Sequence, residues 1–98
     1  MSPLFAVTRT RGPRWNPEVP LEEQEDWRGH ADFMNGLHAN GFVVLGGPLE
    51  GTPDVLLIVR ANGVKEIHAR LNGDSWTSKG LLRIKQIVRW TLRLGSLG

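Results

Sequence analysis

The chain has 98 residues, 40% of them hydrophobic, and a formal net charge of +2 at neutral pH; this length suits one domain, 1–98, around a single core. It has no cysteine, which excludes disulfides, zinc–thiolate centres and thiol chemistry. No apolar run approaches the roughly 20 residues of a bilayer-spanning helix, and Met1 to Phe5 lack the charged-then-apolar pattern of a secretory leader, so a cytoplasmic protein with no membrane partner is expected.

Leu4 to Thr10 alternates, with Phe5, Val7 and Arg9 on one side and Leu4, Ala6 and Thr8 on the other, and predicts a first strand. The segment "RGPRWNPEVP" (11–20) holds one Gly and three Pro and predicts a loop, in which Trp15 is expected to pack down on the domain. Pro20 opens a predicted helix, where its missing N–H costs nothing. Glu22, Glu23, Glu25 and Asp26 complement the positive end of its dipole. Trp27, His30, Ala31, Met34, Leu37 and Gly41 recur at three- and four-residue spacing as its inward stripe, and Gly41 stops it.

Phe42 to Leu45 predicts a second strand, running into Gly46-Gly47-Pro48, and "EGTPD" a turn. Val55 to Ala61 predicts a third strand, so apolar over Val55–Val59 that cover on both faces is expected. Val64, Ile67, His68 and Leu71 mark a short amphipathic helix ended by Asn72-Gly73, after which "DSWTSKG" reads as a loop. From Leu81 the pattern has period two. Leu82, Ile84, Val88, Trp90 and Leu92 fall on one side, and Arg83, Lys85, Arg89, Thr91 and Arg93 on the other, with only Gln86 and Ile87 out of step; this predicts a long last strand.

The order is β-α-β-β-α-β. It predicts an α+β, ferredoxin-like domain: a four-stranded antiparallel sheet with two helices on one face. The other face has no local cover. A domain this small buries only roughly 60–65% of its unfolded surface, so a homodimer packed through the two sheet faces is expected.

Three ordered segments carry a family likeness. They are "HADFMNGLHANGF" leading into "GFVVLGGPLEG", the corner "LNGDSW", and "GLLRIKQIVRW" closing on Trp90. Together they resemble the YCII-related proteins of the dimeric α/β-barrel superfamily. The resemblance implies a dimeric α/β barrel and a His–Asp pair, which falls by position on His30 and Asp74. The family pattern has Pro after this Asp, and here Ser75 stands there. Relatives of the barrel include isomerases, dehalogenating enzymes and monooxygenases acting on small, often ring-shaped, molecules.

The residues have readings of their own. A lone histidine on a helix stripe serves either as a core or boundary residue or as a general acid or base, since imidazole both takes and gives a proton near neutrality. A carboxylate on one ring nitrogen would fix the tautomer and leave the other nitrogen free. Asp74 is the natural orienter, or a cap for the turn "GDSW", or both. If they meet, Trp27, Phe33, Met34 and Trp76 would shape a small-molecule pocket, with Gly47 and Pro48 close by. The chemistry within reach is proton transfer on a small organic acid or ring compound, and the resemblance implies a reaction of isomerase, lyase or dehalogenase type. The alternative is a non-catalytic ligand-binding or structural dimer.

His30 and His38 lie eight residues apart, about 12 Å along a helix, so they cannot share an ion and no metal site is expected; His38 and His68 read as boundary residues. Gly46-Gly47-Pro48 lacks the Lys-Ser/Thr of a phosphate loop, and no organic cofactor motif is present. Trp90 reads as core filling. Arg83, Lys85, Arg89 and Arg93 read as a solvated face, or as the lining of a site for an anionic ligand if they face one. Nucleic acid is not expected, because it would need that stripe together with exposed stacking aromatics.

Overall fold

The structure, a computed structural model, describes residues 3–97; the ends of the expected 1–98 domain, Met1, Ser2 and Gly98, lie outside the described residues. Four strands run in chain order: β1 (Leu4–Arg11), β2 (Val43–Pro48), β3 (Asp54–Arg60) and β4 (Leu82–Trp90). They form one antiparallel sheet in the order β2-β3-β1-β4. Three α-helices complete it, α1 (Trp27–Ala39), α2 (Val64–Leu71) and α3 (Ser75–Ser78). The architecture is α+β and compatible with a ferredoxin-like fold.

The alternation in β1 sets the layering. Phe5, Val7 and Arg9 are buried, and the residues between them are half-buried. Phe5 and Val7 join Val59 of β3, Leu37 of α1, and Ile67 and Leu71 of α2 in one core, so α1 and α2 cover the same sheet face. Truncating a fully buried leucine such as Leu71 to alanine in such a core typically costs about 2–5 kcal/mol.

Two bulges on the edge strands decide where side chains point. Thr8 pairs with Gln86 but Arg9 with Ile84, so Lys85 is an extra residue in β4. The bulge explains why Gln86 and Ile87 fall out of the period: Ile84 and Ile87 both join the core side, while Val88 and Trp90 move to the uncovered face beside Ala6 and Leu4. It also breaks the single basic stripe, since Arg83 lies opposite Thr10 and Arg89 opposite Phe5. Trp90 therefore does not fill the core and is 39% exposed, with Val88 at 46% and Leu45 at 53% on the same face. In β2, Val43 pairs with Val59 and Leu45 with Ile58, leaving Val44 extra. Edge strands are where such bulges concentrate, and they re-aim side chains.

Helix α1 starts at Trp27, seven residues after the expected start at Pro20. Leu21–Glu23 is a 3-10 turn, and Asp26 takes a left-handed conformation (φ 53°) that breaks the path. Asp26 then caps α1, its Oδ1 accepting from the Gly29 N–H at 3.3 Å. The far end follows the expected stop, with Gly41 at φ +87°. The expected loop at "DSWTSKG" contains α3, a single turn capped by Asp74, whose Oδ1 accepts from the Trp76 N–H at 3.0 Å. Among the described residues no helix is long and apolar enough to cross a membrane.

Candidate functional site

Asp74 is fully buried where β1, α1 and α3 meet. His30 Nδ1 lies 2.8 Å from its Oδ2, and Arg9 Nη1 donates to the same oxygen at 3.0 Å. With Trp76 N–H on Oδ1, the carboxylate receives three donors from three elements. Burial raises its pKa, but the His30 and Trp76 hydrogen bonds, the His30 charge and Arg9 outweigh that, and its carboxyl is held below the usual carboxylate value. An ionised carboxylate only accepts, so the Nδ1 of His30 carries a proton and donates. The Nε2 of a neutral ring is then a bare acceptor, and it has no hydrogen-bond partner among the described residues.

The His30 ring is fixed in plane as well as in tautomer. It stacks on Trp76 with centroids 3.8 Å apart and planes 4° from parallel. Trp76 is itself fully buried, and its Nε1 donates to the Glu25 carbonyl at 2.6 Å. Trp27 lies 5.9 Å from both rings, and Trp15 meets Trp76 edge-on at 5.6 Å. The loop of residues 11–20 thus packs against the site. Gln24 ties it down, its side chain bonding the Asn16 N–H (3.0 Å), the Asn16 carbonyl (2.7 Å) and the Val19 carbonyl (3.2 Å).

A cavity of about 670 Å³ opens beside His30, within the range of small-molecule sites. Helix α1 contributes Trp27, His30, Met34 and His38, the sheet contributes Arg9, Val55 and Leu57, and the loop contributes Trp15 and Val19. The edge Gly46-Gly47-Pro48 borders it too. A Cβ on Gly46 would lie 2.8 Å from a methyl of Leu57, so glycine there keeps this part open. No protein-family model matches this chain, and no curated protein matches it. The reading of the site therefore rests on its geometry.

Of the residues expected at a site, the structure brings His30, Trp27, Met34, Gly47, Pro48 and Trp76 together around the cavity, with Asp74 buried behind His30 and off the cavity wall. Phe33 is not among them. It packs against the core and onto Gly73, where a Cβ would meet its ring at 2.9 Å. Its position one residue before Met34 turns it off the cavity side of α1.

Three contributors escaped the sequence reading. Arg9 is 1% exposed and bonds Asp74 and, through Nη2, Thr77 Oγ1 at 2.7 Å. The signal was present: the alternation places a charge on the same side as Phe5 and Val7, and a buried charge requires a partner. Thr77 passes that tie on to the Leu71 carbonyl at 3.0 Å. His38, exposed as expected of a boundary residue, also lines the cavity, and its Nδ1 donates to the Val43 carbonyl at 2.9 Å. Among the described residues no group of three His, Asp or Glu side chains is placed to hold a metal ion.

Proposed function

We propose that the protein is a small-molecule enzyme that moves a proton with His30, oriented by Asp74, in a YCII-like domain of the dimeric α/β-barrel type. The observation that supports it is an imidazole held 2.8 Å from a buried carboxylate with its second nitrogen unpartnered at a cavity. Neutral His30 takes a proton from an acidic C–H or O–H of the substrate onto Nε2. The imidazolium so formed faces the Asp74 carboxylate, and it returns the proton to another atom of the same molecule or to a leaving group. Positioned proton transfer of this kind typically contributes about 10²–10⁴-fold in rate.

The test is a turnover screen of small organic acids and phenols on the wild type and on His30→Ala, with circular dichroism as a fold control. Turnover that falls at least about a hundredfold with the fold intact supports the proposal. A second reading has its own support: Asp74 joins β1, α1 and α3, so the same pair could serve only to fix a helix to a corner. His30→Ala that leaves ligand binding and every conversion unchanged while lowering stability establishes that reading instead.

A homodimer through the uncovered sheet face, in the cytoplasm, belongs to the same proposal. Leu45, Val88 and Trp90 expose their apolar surface on that face, and a second copy of the chain, offering the same apolar face, would cover it.

A further inference from the structure

The cavity has polar groups at both ends and a mostly apolar stretch between, with the exposed Asn35 of α1 as a polar side chain there, and only one end is used by the reaction proposed above. At the His30 end the charges do not cancel. Arg9 is matched by Asp74, and Asp54 by Lys85 at 2.9 Å. Arg11 lies over the Trp15 ring, 4.7 Å from its centroid, and pairs with no carboxylate among the described residues. That leaves one cation bordering the cavity, the setting for an anion. At the other end stands His38, about 12 Å further along α1 at 1.5 Å per residue. A carbonyl only accepts, so the Nδ1 of His38 carries the proton that goes to Val43. Its Nε2, in the neutral ring, is then an acceptor, without a hydrogen-bond partner among the described residues. Met34, Val55 and Leu57 lie on the cavity wall and offer no hydrogen bond.

We propose that the cavity takes an elongated, flat organic acid carrying a hydroxyl or amino group at the end away from its carboxylate. The carboxylate sits at Arg11, the apolar body crosses Met34 and Leu57, and the distal donor bonds Nε2 of His38. His38 is thus a specificity residue: the bare Nε2 of its neutral ring takes a donor at the distal end of the ligand. The inference rests on the reading of the cavity as a substrate site and adds the class of substrate.

Three probes differ only at the distal end: cinnamate, 4-hydroxycinnamate and 4-methoxycinnamate. Their Kd values are measured by calorimetry on the intact chain. In parallel, long-range ¹H–¹⁵N spectra follow the ring nitrogens of its three histidines, with His68, exposed on α2, as the internal reference. The hydroxyl probe should bind about 3–10-fold tighter than the other two, the worth of one hydrogen bond. It alone should shift Nε2 of His38, while all three shift His30. His38→Phe should erase the preference, bringing the three Kd values to within about twofold of one another; Arg11→Gln should weaken all three alike. Equal binding of the three probes to the wild type, or a preference that survives His38→Phe, overturns the inference. Probes that move His30 but never His38 also overturn it while sparing the His30 reading; probes that move neither overturn both. The wild-type spectra decide the matter even if a variant fails to fold.

Discussion

Replacing Asp74 by Asn keeps the shape of the corner and removes its charge. The cost follows from what surrounds it. The side chains of Arg9 and Asp74 are 2% and 0% exposed, so the substitution leaves a guanidinium buried without its counter-ion. Whichever way the new amide turns, its NH2 faces a donor, either Arg9 and His30 or the Trp76 N–H. Breaking such a buried pair typically costs about 3–5 kcal/mol, against a total of roughly 5–15 kcal/mol for a domain of this length. At about 4–8 °C per kcal/mol, Tm should fall by at least about 12 °C. The sharper assay is a double-mutant cycle of Asp74→Asn and Arg9→Met by urea denaturation. Removing both partners together should be less damaging than the sum of the single changes by about 1–3 kcal/mol. The pH dependence has a definite sign. Burial works against the ion, but the His30 and Trp76 hydrogen bonds with Arg9 hold the folded carboxyl below its ordinary value. Its stabilisation is therefore complete above the unfolded carboxylate pKa of about 3.9 and is lost as pH falls through the lower folded value. The gap between wild type and Asp74→Asn should be constant near neutrality and narrow below about pH 4. Strictly additive single mutants, or a gap that widens in acid, would refute the account of Asp74 as an ionised tie.

Gly12→Ala should cost about 1–3 kcal/mol in urea denaturation, because its Cβ would stand 2.3 Å from the Gly80 carbonyl oxygen; the loop that carries Trp15 should loosen with it, seen as a red-shifted tryptophan emission. On the proposed homodimer, the wild type should sediment as a dimer, and Leu45→Glu with Val88→Glu, both on the uncovered face, should sediment as a monomer. Ser75→Ala should lower stability by about 0.5–1.5 kcal/mol through the lost bond to Asp26. Ser75→Pro should come out near neutral, since the constrained backbone returns about 0.4–1 kcal/mol.

What the sequence showed and what it hid divide by the range of the physics involved. Strand and helix order and the stop at Gly41 rest on period and turn chemistry, which act locally; the pairing of His30 with Asp74, 44 residues apart, was expected only from the family resemblance. The bulge at Lys85 depends on how two strands pair, and the only local trace was Gln86 and Ile87 out of step. The delayed start of α1 turned on a left-handed Asp26 that a run of acids after a proline concealed. Arg9 was readable as a charge in a core-facing position, but its partner, 65 residues away, emerges only when the sheet closes. His38 was hidden by another route: its role depends on an empty volume, and no pattern of side chains along one helix reveals where space is left.

The corner at Asp74 shows how hydrogen bonds can hold a backbone where a proline would otherwise hold it. A proline after Asp74 would confine it to extended backbone; Ser75 imposes no such limit. Asp74 nevertheless sits at φ −72°, ψ 128°, inside the region a proline would enforce. Side chains hold it there. Its own carboxylate caps α3 through Trp76 N–H, and Ser75 Oγ donates to Asp26 Oδ2 at 2.6 Å. Asp26 in turn accepts from the His30 N–H through its carbonyl at 3.0 Å. Its carboxylate folds back over Gly29, where a Cβ would lie 2.4 Å from Oδ2, so only glycine leaves it room. Two ties therefore join the start of α1 to the same corner, one from His30 to Asp74 and one from Asp26 to Ser75. Stacking on Trp76 holds the plane of the imidazole, and the two ties, from nearby positions on both elements, hold the start of α1 against the corner. The hydroxyl of Ser75 thus supplies through a hydrogen bond the restraint that a proline supplies through its ring, and the orientation of His30 depends on both ties.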